Sequence, residues 1–219
     1  SDGGGTLLVD NSGRSASVAA GVATLVPPAL TNLAIGHVLI RSSGCLAIGN
    51  GQWLRVGGTW SNSASFSGGS GSTVVFTDSA STSTVYGNTT FDGLECSTPG
   101  KNVRFQANST NHVLASLTLA GNALSNIVLR SITTNVAWKL QVDPIVLQSV
   151  SRVDVMDSDA RPGTAVAALY SINSGNNSNW VFAVVGQTNT WTGTSDSEWG
   201  NSTNWTLGRI PMPSDDKTI

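Results

Sequence analysis

The stretch that decides the fold runs from Gly87 to Asp157. It opens with GNTTFDGLECSTPGKNVRFQANS, Gly87 to Ser109, followed by TNHVLASLTLAGNALSNIVLRSI, Thr110 to Ile132. A third segment, Thr133 to Asp157, is about two residues longer. Leu94, Leu117 and Leu140 recur at intervals of 23 residues, and so do Cys96, Leu119 and Val142, and Phe91, Leu114 and Ala137. Each segment begins with alternating apolar positions, which is the period of a strand with one face buried. A polar turn follows: Pro99-Gly100, Gly121-Asn122 and Asp143-Pro144. A second strand then comes at Val103–Phe105, Ile127–Leu129 and Val153–Val155.

A repeat of this length denotes one supersecondary unit per period. Strand alternation inside such a unit predicts an all-β chain wound as a parallel β-helix, each coil stacked on the one before. A single coil cannot bury its apolar row, so at least three must adjoin. Phe91, Leu94, Leu114, Leu117, Leu119, Leu140 and Val142 are the expected inward residues, with Leu94, Leu117 and Leu140 in one column. An antiparallel sandwich also spaces strands regularly, but it does not explain why equivalent strand positions recur at a fixed interval.

Outward from this centre the repeat blurs. Thr6–Val9, Val38–Arg41, Thr73–Phe76 and Ser83–Tyr86 read as strands of earlier, less regular coils, whereas Val18–Leu30 reads as a short helix or as strands broken at Pro27-Pro28. Asp159–Gly163 is a turn, Ser171–Asn179 a polar loop and Trp180–Val185 a last strand. The expected division is residues 1–186 as the β-helix, irregular to about 86 and regular from 87, and 187–219 as a tryptophan-rich joint.

Composition narrows the function classes. Of 219 residues only 11% are charged, the net charge is −2, and 24 are glycine. Such a chain lacks the clustered Lys and Arg that phosphate contacts require, so nucleic acid is not an expected partner. It also lacks the composition of a helical bundle. No apolar run is long enough for a membrane span. The low charge and many small hydroxyl residues suit an extracellular or cell-surface setting.

The tail reads Trp191-Thr-Gly193, Trp199, Asn204-Trp205, Gly208 and Pro211. This W-x-G-x5-W-x4-N-W-x2-G-x2-P spacing resembles a segment found in large bacterial surface and secreted proteins with autotransporter-passenger-like β-helices. Gly87–Phe91 and Val153–Ala160 resemble coil phrases of the same proteins. The resemblance spans Gly87 to Ile219. It implies a right-handed parallel β-helix outside the cell, and it carries over no catalytic residue.

Chemistry-bearing motifs are sparse. Two readings stand for Trp191, Trp199 and Trp205: packing over a solenoid end, whose open core and strand edges need cover, or a platform on which carbohydrate stacks. Cys45 and Cys96 are either one bridge or two buried thiols. Asp154, Asp157 and Asp159 offer oxygen ligands at Ca²⁺-like spacing but fit strand and turn positions better, and Gly68–Thr73 has no second copy of a calcium-repeat phrase. Asp92 and Glu95 imply no pocket, and the positions aligned at Arg104, Ile127 and Arg152 form no acidic ladder of the kind a pectate-lyase-like enzyme uses. His37 and His112 lack metal-ligand spacing. The sequons at Asn88, Asn108, Asn176, Asn201 and Asn204 are common by chance in so polar a chain.

The expectation is therefore a non-enzymatic extracellular structural protein without cofactor: a β-helical unit of a fibre, surface layer or adhesin stalk. Its expected neighbours are further repeat units or copies added head to tail. A carbohydrate-binding module and a polysaccharide-cleaving β-helix enzyme are the alternatives.

Overall fold

A computed structural model describes residues 4–27, 32–183, 188–211 and 216–218. The chain winds round three faces. The first turn comprises β1 (Thr6–Asp10), β2 (Thr24–Leu25) and β3 (Asn32–Ile35), and the second β4 (His37–Arg41), β5 (Cys45–Ile48) and β6 (Trp53–Val56). The third holds β7 (Trp60–Asn62), β8 (Ser65–Gly68) and β9 (Thr73–Phe76). In the next two turns the second and third faces share one long strand: β10 (Thr82–Tyr86) leads to β11 (Thr89–Cys96), and β12 (Asn102–Phe105) to β13 (Thr110–Ala120). The faces separate again in β14 (Ile127–Ser131), β15 (Trp138–Val142) and β16 (Leu147–Ser151), then in β17 (Val153–Val155), β18 (Ser158–Asp159) and β19 (Val166–Leu169). The winding ends with β20 (Ile172–Asn173) and β21 (Trp180–Ala183). Outside it, β22 (Thr188–Thr190) pairs with β23 (Asp216–Thr218).

The first face is an eight-stranded sheet in the order β1-β4-β7-β10-β12-β14-β17-β20. The third face forms a sheet in the order β3-β6-β9-β11-β13-β16-β19-β21. The strand pairs are parallel, each strand meeting its partner only after the chain has gone round the other two faces. That is a β-solenoid: the turn itself supplies the crossover that parallel pairing demands. Seven steps of ~4.8 Å make the first-face stack about 34 Å long.

The core is one continuous apolar cluster from Val9 to Ala168. On the third face Leu54, Val74, Leu94 and Leu117 lie in register and fully inside. Each contributes roughly 1.5–3 kcal/mol by leaving water. Aromatic rings fill the wider parts. Trp60, Phe66 and Phe91 form one group, and Phe105 stacks on Trp138 with centroids 3.9 Å apart. The Trp60 indole N–H donates to Thr89 Oγ1 at 3.0 Å, so this buried donor is satisfied.

The expected pairs Leu94–Leu117 and Cys96–Leu119 are in register, but the column does not continue to Leu140 and Val142. Those two are buried on the second face, opposite Asn111 and Val113. Gln148 and Val150 occupy the places beside Leu117 and Leu119. The physical reason is unequal corners. From the fifth turn to the sixth the offset is 26 residues on the first face (Val103 to Leu129), 29 on the second (Thr110 to Lys139) and 31 on the third (Ser116 to Leu147). A constant 23-residue step therefore lands one face early.

Phe91 opposes Val113, not Leu114, because β13 carries one extra residue between Val113 and Ser116. That bulge shifts the alternation and leaves Leu114 half-buried. The early turns are more even than their sequence suggests: Leu33, Leu54, Val74 and Leu94 follow at 21, 20 and 20 residues. Val18–Gly21 holds turns, not a helix, and Thr24–Leu25 is a short strand, as the broken-strand alternative for this stretch has it; Ile172–Asn173 pairs as a strand within the expected polar loop. Pro28–Leu30 and Val184–Val185 fall outside the described residues. At one corner Gly87 is required. Its φ is +80°, and a Cβ there would lie 1.9 Å from the carbonyl oxygen of Asn62.

Candidate functional site

The tail builds its own small core around two buried asparagines. Asn189 Nδ2 donates to the Arg209 carbonyl at 2.9 Å, and its Oδ1 accepts from Leu207 N–H at 3.1 Å. Asn204 accepts at Oδ1 from the N–H groups of Ser195 and Asp196, at 2.8 and 3.1 Å. Its Nδ2 donates to Asp196 Oδ1 at 2.6 Å and to the Glu198 carbonyl at 3.2 Å. One side chain thus closes the loop from Thr192 to Glu198, whose main chain has no ladder of its own. Asp196 also accepts from Glu198 N–H and Asn201. These donors hold its carboxyl below the usual range, the Glu198 N–H most of all. Asn204 is fully enclosed, so this sequon is inaccessible in the fold.

The three tail tryptophans come together on this frame. Trp191 and Trp199 stack at 5.5 Å and 13°, and Trp205 meets them edge-on at 5.2 and 5.0 Å. The Trp205 indole N–H donates to the Trp199 carbonyl at 3.1 Å. Trp205 is 3% exposed and Trp199 50%. The trio packs upon itself and is not part of the solenoid's apolar cluster. The expected cover over the solenoid core is therefore not made by these rings; the end turn is lined instead by the half-buried Trp180 and Phe182.

The remaining candidates are dispersed. Cys45 and Cys96 are separate buried thiols, one opening β5 and the other closing β11. Burial pushes the Cys96 thiol up to about 11. Asp154, Asp157 and Asp159 do not converge. Asp154 pairs with Arg130 at 2.7 Å, Asp157 accepts from Asn176 Nδ2 and Asn135 N–H, and Asp159 pairs with Arg161 at 2.8 Å. Among the described residues no group of three or more His, Cys, Asp or Glu could hold a metal ion. Asp92 staples a turn by accepting from Gly71 N–H at 2.7 Å. His112 Nε2 meets Asp143 Oδ1 at 2.6 Å, and His37 Nδ1 accepts from Thr59 N–H at 2.9 Å. Arg104 faces Arg130, not Ile127.

Sequence reading missed Lys101. It is 0% exposed, and its ammonium donates to the carbonyls of Gly57, Asp78 and Ser81 at 2.6, 2.9 and 2.9 Å. In the phrase Pro99-Gly100-Lys101-Asn102 it looks like any solvated turn lysine. Its partners lie 20 to 44 residues upstream and only the winding brings them beneath it.

Fold and tail together define a parallel β-solenoid bearing a compact tryptophan–asparagine knot. Comparison with protein-family models, curated proteins and solved structures finds no match. No helix among the described residues is long and apolar enough to cross a membrane.

Proposed function

We propose that this chain is a stiff structural unit of an extracellular or cell-surface fibre, layer or adhesin stalk, non-catalytic and lengthened by neighbouring units placed head to tail. The observation that carries the reading is the unbroken first-face ladder, eight parallel strands over one continuous core. A rod of this kind resists bending because every turn is bonded to its neighbours along the axis. Sheet edges supply the means of growth. β1 and β20 are the outermost strands of their sheet, and Leu8 and Ile172 beside those edges are about half exposed. An edge with unpaired N–H and C=O groups is a template for another strand, and a head-to-tail contact that does not close gives an open filament. The resemblance of the tail to the joints of large bacterial surface proteins points the same way.

Light scattering across a concentration series, followed by negative-stain microscopy, tests this. Rods that lengthen with concentration are expected, with no release of reducing ends from a polysaccharide panel. Monodisperse monomers at the highest concentration would remove the head-to-tail reading, and reducing-end release would favour the enzyme.

A further inference from the structure

We infer that the open side of Trp199, with the exposed Glu198 next to it in the chain, is a docking surface for a saccharide ring. The inference is independent of the rod. The tail can bury an indole, since it leaves Trp205 only 3% exposed, yet it leaves half of Trp199 in water. That exposed ring is held from several sides. Trp191 stacks on it at 13°, Trp205 abuts it edge-on, and the Trp205 N–H grips its carbonyl. A ring already fixed loses little freedom on binding, which favours even a small contact.

The ligand class follows from shape and charge. An indole offers an electron-rich flat surface, which suits either the C–H face of a sugar or a quaternary ammonium. An ammonium is held best when several ring faces surround it. Here the three rings pack against one another at 5.0–5.5 Å, so no cage lies between them and one flat surface remains. Glu198 is exposed, and its carboxylate has no hydrogen-bond partner among the described residues, so it can accept from sugar hydroxyls. Asp196, in contrast, is occupied by its internal donors.

The test uses the whole chain and follows the indole N–H signals by NMR during titration with cello-, chito-, xylo- and manno-oligosaccharides at millimolar concentration. One series is expected to shift the Trp199 signal saturably. Trp199→Ala should weaken binding about tenfold and Glu198→Gln should weaken it less, while Trp199→Tyr keeps a ring and most of the affinity. A dispersed Trp205 indole N–H signal that stays protected from exchange in each variant, its position moved only by the change in the neighbouring ring, shows that the knot is intact. The inference is overturned if no series shifts Trp199, if Trp199→Ala binds like the parent chain with the Trp205 signal intact, or if tetramethylammonium alone produces the shift.

Discussion

Replacing Lys101 by Met keeps most of the unbranched side chain, ending one atom short of the ammonium, and removes its charge. Three carbonyls then lose a charged donor. Hydrogen bonds to charged groups are worth roughly 1.5–3 kcal/mol each, so the gross loss is large. Two effects reduce it. The Gly57 carbonyl still accepts from the Ser81 and Ser83 hydroxyls at 2.9 and 3.1 Å, and the Asp78 carbonyl from Ser81 N–H at 3.3 Å. The ammonium's desolvation, several kcal/mol, is also recovered. The expected net loss is about 2–3 kcal/mol, or on the order of 4–12 °C in the melting midpoint for a chain of this size. Lys101→Ala should lose more, because it adds a cavity. Lys101→Arg should also destabilise, since a planar guanidinium does not reproduce three bonds from one tetrahedral ammonium nitrogen. Thermal melts followed by circular dichroism give the midpoint. Hydrogen exchange at residues 57–58 and 78–83 shows whether the loss is local. If Lys101→Met melts at or above the parent chain, desolvation outweighs the three bonds and the lysine does not tie these turns together.

Three further outcomes are expected. Leu117→Asp places an uncompensated carboxylate in the core and should cost more than about 4 kcal/mol, whereas Leu114→Asp at the half-buried bulge should cost much less; equal costs by urea melts would restore the fixed 23-residue register, in which both face inward. Cys96 is raised to about 11 by burial, so an unfolded chain ionises first and stability should fall as pH climbs from ~8.5 towards that value. Cys96→Ala should flatten this dependence, and a thiol reagent at pH 8 should label Cys96 only after denaturation. Asp196 is lowered in the fold, chiefly by the Glu198 N–H. Its contribution is thus present above the unfolded value of ~3.9 and lost as pH falls through the folded one, so tryptophan fluorescence should report opening of the knot in acid, and Asp196→Asn should remove that pH dependence.

The residues show why some of this was legible and some was not. Strand alternation around Leu94 and Leu117 records a contact between neighbouring turns whose corners are nearly equal, so both fold and register can be read there. Leu140 carries the same local pattern, but its partner is set by the summed length of the corners before it. The pattern names a buried residue without naming its face. The tail tryptophans are conspicuous by type and spacing. That they clasp one another and leave the solenoid's end to Trp180 and Phe182 depends on Asn204, whose bonds reach back to Ser195 and Asp196 through a loop with no periodicity. Lys101 was illegible for the opposite reason: nothing in its own segment is unusual.

The corners also explain the lysine. Between the third face and the first, successive corners are Gly36 alone, then residues 57–59, 77–81, 97–101 and 121–126, then Arg152 alone and finally 170–171. While the strands keep their ladder, this edge widens over several turns and closes again. A widening corner carries main-chain carbonyls outward, where no strand of the neighbouring turn can meet them, and a buried carbonyl must find a donor. Lys101, at the end of the 97–101 corner, reaches back under the two earlier corners and supplies three donors from one atom. The corner can therefore change length from turn to turn without breaking the rod. This separates the two kinds of residue: those in the faces set stiffness and tolerate little change, whereas those in the corners and tail vary in length and hold what is particular to this chain.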